Sequence, residues 1–120
     1  MKVAFTTSGD SLDAPMDDRF GRAPRILVYD LESSSFVMLD NEENMNAAQG
    51  AGVKTAEVIV LAGAGSVVTG HCGPSAFRVL HAAGGRILLT SAVTGAEARD
   101  LYRSGSLTAI GSPDVSGHHG

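Results

Sequence analysis

The stretch Gly70-His71-Cys72-Gly73-Pro74-Ser75-Ala76-Phe77-Arg78 sets the chain's only cysteine beside a histidine, where a strand-like run gives way to a helix-like one. A helix start exposes unpaired backbone N–H groups and the positive end of the helix dipole, so a ligand held there is expected to be an anion. His71-Cys72, five residues and Arg78 also match the bare spacing of cysteine-dependent phosphatases, in which a loop of N–H groups and an arginine grip phosphate while a thiolate attacks. Two residues argue against that chemistry. Pro74 removes one of the donors, and Val79 stands where such loops carry Ser or Thr.

The elements around this stretch follow from pattern. Lys2 to Thr6 reads as a first strand, and Thr7 to Pro24 as a long polar loop of the kind that carries function. Arg25 to Leu31 and Phe36 to Asp40, joined by Glu32-Ser33-Ser34-Ser35, predict an antiparallel hairpin. From about Ala47 to Ala62 the spacing of Val53, Ala56, Val60 and Leu61 predicts a helix, with Gly50 and Gly52 allowing close approach to the sheet and Gly63-Ala64-Gly65 closing it. Ser66 to Thr69 reads as a short buried strand. Pro74 to Ala83 is a helix with proline at a tolerated first position, burying Ala76, Phe77, Leu80 and Ala83 and stopped by Gly84-Gly85.

Arg86 to Thr90 is a further strand. Thr94-Gly95-Ala96-Glu97 has capping-box spacing for a last helix that buries Ala98, Leu101 and Tyr102 and ends near Gly105. Leu107 to Ile110 is expected as a final short strand. The expected organisation is one domain over residues 1–111 and a flexible tail over 112–120 that carries His118-His119, a weak metal-capture signal.

Composition narrows the class. With 120 residues, 43% of them hydrophobic, the chain can bury one core without staples, and a lone cysteine forms no internal disulfide. No apolar run is long enough to span a bilayer, and Met1 to Phe5 is too short for a secretory core, which gives a cytoplasmic expectation and no membrane partner. The formal net charge of −4 at pH 7 argues against a general nucleic-acid binder. Any anion must be met by a local cluster, and Arg19, Arg22 and Arg25 lie close together in the chain.

A hairpin followed by alternating helices and strands implies a mixed α/β sheet of about five strands, with the later strands parallel to the first and helices on both faces. The loop Asp17 to Arg25 should then share an edge with His71-Cys72. Ligands of open α/β sheets favour that edge.

Arg19-Phe20-Gly21-Arg22-Ala23, Gly50-Ala51-Gly52 with Thr55-Ala56, and Gly73-Pro74 with Ala76-Phe77 and Leu80 occur here in an order and spacing that resembles the dinitrogenase iron-molybdenum cofactor biosynthesis family over nearly the whole chain. That family includes NifX- and NafY-type carriers, the C-terminal domain of NifB-type proteins and the small orange proteins that hold a molybdenum-copper sulfide cluster. The resemblance implies a ribonuclease-H-like three-layer fold and non-catalytic binding of a preformed, anionic, molybdenum-containing metal-sulfur cluster, of the molybdenum-copper sulfide or iron-molybdenum cofactor type. It implies cluster donor and acceptor proteins as partners, for a monomer or weak homodimer.

One cysteine cannot furnish the roughly four thiolates of a conventional iron-sulfur centre, whereas a cluster that brings its own sulfur can be held by guanidinium groups, amide donors and one or two direct ligands. The expected binding set is Arg19, Phe20, Gly21, Arg22, Ser8, Gly9 and Gly73, with His71 and Cys72 as metal ligands. Plainer roles stay open to the same residues. Arg19 and Arg22 can pair with Asp17, Asp18, Asp10 or Asp13, Cys72 can be an inert buried thiol, and Met45 a gap filler. A nuclease of the same architecture would need carboxylates on the first strand, and Lys2 to Thr6 has none. Gly63-Ala64-Gly65 lacks the Lys-Ser/Thr of a phosphate-binding loop.

Overall fold

The computed structural model describes residues 1–47 and 49–113. Strand β1 (Lys2–Thr7) pairs antiparallel with β2 (Arg25–Asp30), which pairs antiparallel with β3 (Ser35–Asp40). On its other side β1 runs parallel to β4 (Ser66–Thr69), and β4 parallel to β5 (Arg86–Leu89), giving the order β3-β2-β1-β4-β5. The mixed five-stranded α/β sheet anticipated from the sequence is the one observed.

Alternation along the buried strands feeds two cores. Ala4, Ile26, Val28, Val67 and Ile87 face one side, where α2 (Ala51–Leu61) and α3 (Pro74–Ala82) cover them with Ala56, Ile59, Phe77 and Leu80. Val3, Phe5, Leu27, Tyr29, Val68 and Leu88 face the other, under α4 (Gly95–Arg103) and its Ala98. Thr94 caps α4 as its spacing predicted, its hydroxyl accepting the Glu97 N–H at 3.2 Å. Among the described residues no helix is long and apolar enough to cross a membrane.

Several expectations need correction. The helix expected from Ala47 begins at Ala51, after Gly50 at φ 73°, and a separate single turn, α1 (Glu42–Met45), precedes it. The buried face of α2 is Ala51, Thr55, Ala56 and Ile59, while Val60 and Leu61 are 38% and 88% exposed. Small residues rather than large ones define that face because another helix and a loop press against it. Ala83 lies exposed beyond the end of α3, and Leu101 and Tyr102 are half-buried, Tyr102 donating its hydroxyl to Ser66 Oγ at 3.0 Å. Leu107 to Ile110 forms no full strand. It makes a single bridge, Ala109 to Leu88, with the Ile110 N–H reaching Ile87 O at 2.8 Å. His118-His119 and most of the expected tail lie outside the described residues.

Candidate functional site

The loop after β1 and the loop after β4 meet at one sheet edge. Thr6 donates its hydroxyl to Thr69 Oγ1 at 2.8 Å and lies 3.0 Å from Asp17 O, while the Asp17 N–H reaches Thr6 O at 2.9 Å, so the polar loop is carried across the ends of β1 and β4. Arg19 and His71 then form a parallel bridge, with the Phe20 N–H donating to His71 O at 3.3 Å. Gly70 allows this contact, since a Cβ there would stand 2.7 Å from Asp18 Cα. The topological argument for convergence is met.

A second close approach completes the corner. A Cβ on Gly21 would lie 2.8 Å from Gly52 N, and one on Gly52 would lie 3.3 Å from Ala76 Cβ. Gly52 therefore admits the 20–22 turn and α3, not the sheet as expected, while Gly50 has open space around it and serves the positive φ at the start of α2. Phe20, 3% exposed, belongs to the core under α2 and α3 and anchors the turn instead of presenting itself to a ligand. Gly73, also buried, caps α3 in extended conformation with Pro74 at the first helical position. The starts of α2 and α3 thus adjoin one turn.

The three arginines have different roles. Arg19 projects, its side chain 71% exposed, with only a 3.8 Å approach to Asp17 Oδ1. Arg22 donates from Nη1 to Met45 O at 2.6 Å and Ala47 O at 3.1 Å, which pins the segment between α1 and α2 while leaving the guanidinium charge unneutralised by those neutral carbonyls. Arg25 meets Asp10, Asp40 and Glu42 at 2.8, 3.2 and 3.1 Å. The hydrogen bonds it donates to Asp10 and then to Glu42 raise its pKa above the ordinary guanidinium value, against the opposing effect of burial. Arg25 therefore adds no surplus positive charge, contrary to the expectation of a threefold cluster.

Ser8 and Gly9 are placed elsewhere. Ser8 donates its N–H and hydroxyl to Pro15 O, and the Gly9 backbone packs on Ala14. This turn supplies Leu12 O and Ala14 O to the Ala96 and Gly95 N–H groups, so it closes the start of α4 on the opposite face. Ser8 and Gly9, expected in the binding set, are taken up by this turn. The chain turns away there to satisfy the helix.

His71 is exposed and lines a depression of about 380 Å³ together with Asp18, Gly70, Leu89, Thr90 and Ser91, at the ends of β4 and β5. Cys72 points the other way. It is 0% exposed, packed among Phe20, Ala76 and Phe77, with Sγ 3.8 Å from Gly73 O. Arg78 lies on the exposed side of α3. A thiol inside the core and an arginine in solvent do not compose the attacking loop of a cysteine phosphatase. Among the described residues no group of three or more His, Cys, Asp or Glu is placed to hold a metal ion. His71 is exposed at this rim with an imidazole, a side chain of a type that can ligate a metal.

A family model described as dinitrogenase iron-molybdenum cofactor matches residues 1–105. Among solved structures, the apo form of the orange protein from Desulfovibrio gigas is 32% identical, with a TM-score of 0.92 over 95% of this chain and 96% of its own. A Thermotoga protein described as NifB is 30% identical, with a TM-score of 0.80 over 90% and 91% of the two chains. No curated protein matches at a significant level.

Proposed function

Because this chain belongs to the dinitrogenase iron-molybdenum cofactor family, we propose that it is a non-catalytic, cytoplasmic carrier or scaffold for an anionic, molybdenum-containing sulfide cluster, received from a donor protein and passed to an acceptor. The cargo sits on the rim that runs from the His71 depression past Arg19 to the corner of Gly21, Gly52 and Gly73. One observation carries this reading. The three sequence segments of the family resemblance, far apart in the chain, close on each other at the Gly21–Gly52 contact beside two helix starts.

The chemistry is that of a grip without full ligation. Arg19 and Arg22 supply charge, the first turns of α2 and α3 supply amide donors, and His71 supplies one soft-enough nitrogen. Sparse ligation also permits release. The molybdenum-copper form is the version we favour, on the 32% identity and near-complete overlap with the orange protein.

Anaerobic incubation with tetrathiomolybdate and copper, then sizing and elemental analysis, tests the proposal. Coelution of molybdenum and sulfide with the protein, with visible charge-transfer absorption, is the expected result. Absence of retained metal with this mixture and with iron-molybdenum cofactor would reject a carrier role.

A further inference from the structure

The two edges of the sheet are finished differently. Beyond β5, Ala109 bridges Leu88 and Ile110 bonds Ile87, so a segment of the chain covers that edge. Beyond β3 no described residue pairs, and Ser35-Phe36-Val37-Met38-Leu39-Asp40 carries none of the lysine or proline that commonly blunts an open edge. Phe36 and Val37 stand 37% and 59% exposed. We propose that β3 pairs antiparallel with β3 of a second copy of this chain, joining two five-stranded sheets into one.

Symmetry restricts the register. A twofold axis normal to the sheet keeps each face on its own side, so residues opposite each other must share a face. Met38 packs toward the α4 side and Leu39 toward the α2–α3 side, so Phe36, Met38 and Asp40 share the α4 side while Ser35, Val37 and Leu39 share the other. The register with Val37 on the axis sets Phe36 opposite the partner's Met38 and Ser35 opposite the partner's Leu39, with no acid facing an acid within β3. It also brings the partner's Asp40 beside Ser34, at the start of the strand.

Charge agrees with that register. Arg103 on α4 is held over the hairpin, Nη2 at 3.4 Å from Ser34 Oγ and 3.3 Å from the Tyr29 hydroxyl, with its guanidinium 5.3 Å from the Tyr29 ring centre. Asp40, its Oδ1 3.2 Å from its own Arg25, still has a side chain 71% exposed on the same α4 side. Each end of the joined ladder thus sets Arg103 of one copy against the partner's Asp40. The neighbouring register with Met38 on the axis would instead place Phe36 opposite the partner's Asp40, an apolar ring against a carboxylate. Both copies keep their His71 rims on the ends of β4 and β5, across the sheet from the joint, so pairing leaves two open sites and brings no two Cys72 residues together.

The intact chain of 120 residues tests this directly. A Val37→Cys variant places thiols face to face on the axis, within the Cα separations a disulfide accepts. Mild oxidation should give a dimer whose peptide map contains a 37–37 link, whereas Phe36→Cys should not link to itself. Sedimentation of the unmodified chain should show mass rising with concentration, and Val37→Arg, at an exposed position, should abolish that rise while its circular dichroism and melting stay those of the parent. Amide exchange at Phe36 and Met38, whose N–H groups face away from β2, should slow as concentration increases. Slow exchange that ignores concentration means the chain's own end covers the edge, and this outcome overturns the proposal. So does a monomer at every concentration with no 37–37 link. None of these readouts involves metal, so they fail or succeed apart from the carrier role.

Discussion

Gly21 and Gly52 touch through their backbones: a Cβ on Gly21 would stand 2.8 Å from Gly52 N and 2.9 Å from its Cα. Backbone cannot rotate aside as a side chain does, so the turn and α2 must part if Gly21 gains a Cβ. Gly21→Ala should therefore cost roughly 1–3 kcal/mol, the range for overpacking. Gly52→Ala meets only Ala76 Cβ at 3.3 Å and gains helix propensity, so it should cost much less. Chemical denaturation of both variants checks the order. Equal stabilities would mean that the corner yields more readily than its geometry implies.

Arg19 and Arg22 should separate grip from framework. Removal of Arg22 strands Met45 O and Ala47 O, so Arg22→Met should lose about 1.5–3 kcal/mol, the range for hydrogen bonds to charged groups. Arg19→Met should leave the melting temperature in place, because its one 3.8 Å approach to Asp17 is exposed and weak. It should nevertheless lower tetrathiomolybdate retention. Loss of stability without loss of retention at Arg19 would reverse the assignment.

The Cys72 thiol, 0% exposed, should resist iodoacetamide in the native protein and react on unfolding. Cys72→Ala should keep thiomolybdate retention if the cargo stays on the rim. Abolished retention in a variant that still melts like the parent would make the sulfur a ligand after all. His71→Ala, at an exposed position, should reduce retention without affecting the fold.

Acid should loosen the hairpin turn through Asp30. The Glu32 N–H, at 2.9 Å, and more weakly the Ser33 N–H, hold its carboxylate below the ordinary 3.8, against a smaller opposing effect of burial. A lowered folded value means stabilisation that is complete above 3.8 and disappears as the pH falls through the lower folded value. Asp30→Asn should flatten the stability-against-pH curve in that acid window and leave its alkaline side unchanged. Identical acid profiles for both proteins would count against it.

The sequence carried the hairpin, the Thr94 cap and the later parallel strands, because each rests on a local signal: alternation, a capping spacing, a glycine stop. It also carried the meeting of the Arg19 and His71 loops, through topology alone. It did not carry the buried face of α2, since Ala51, Thr55 and Ala56 earn burial from a neighbouring helix and turn, and size-based periodicity points instead to Val60 and Leu61. The single turn α1 is entirely polar apart from Met45. It forms because Asp40 Oδ1 accepts the Glu42 N–H at 2.9 Å and buried Asn41 donates to Ala23 O at 2.8 Å and to Thr55 Oγ1 at 3.0 Å. The division of labour among Arg19, Arg22 and Arg25 depends on partners up to 25 residues away, which no local window sees.

The hydroxyl pair Thr6–Thr69 lies beneath the joined loops, fully sealed, while Gly70 presses on Asp18 directly above it. Such a floor has little room to give. For the proposed carrier role this makes molybdate, equal in charge to tetrathiomolybdate but smaller, the discriminating control: it should be retained less.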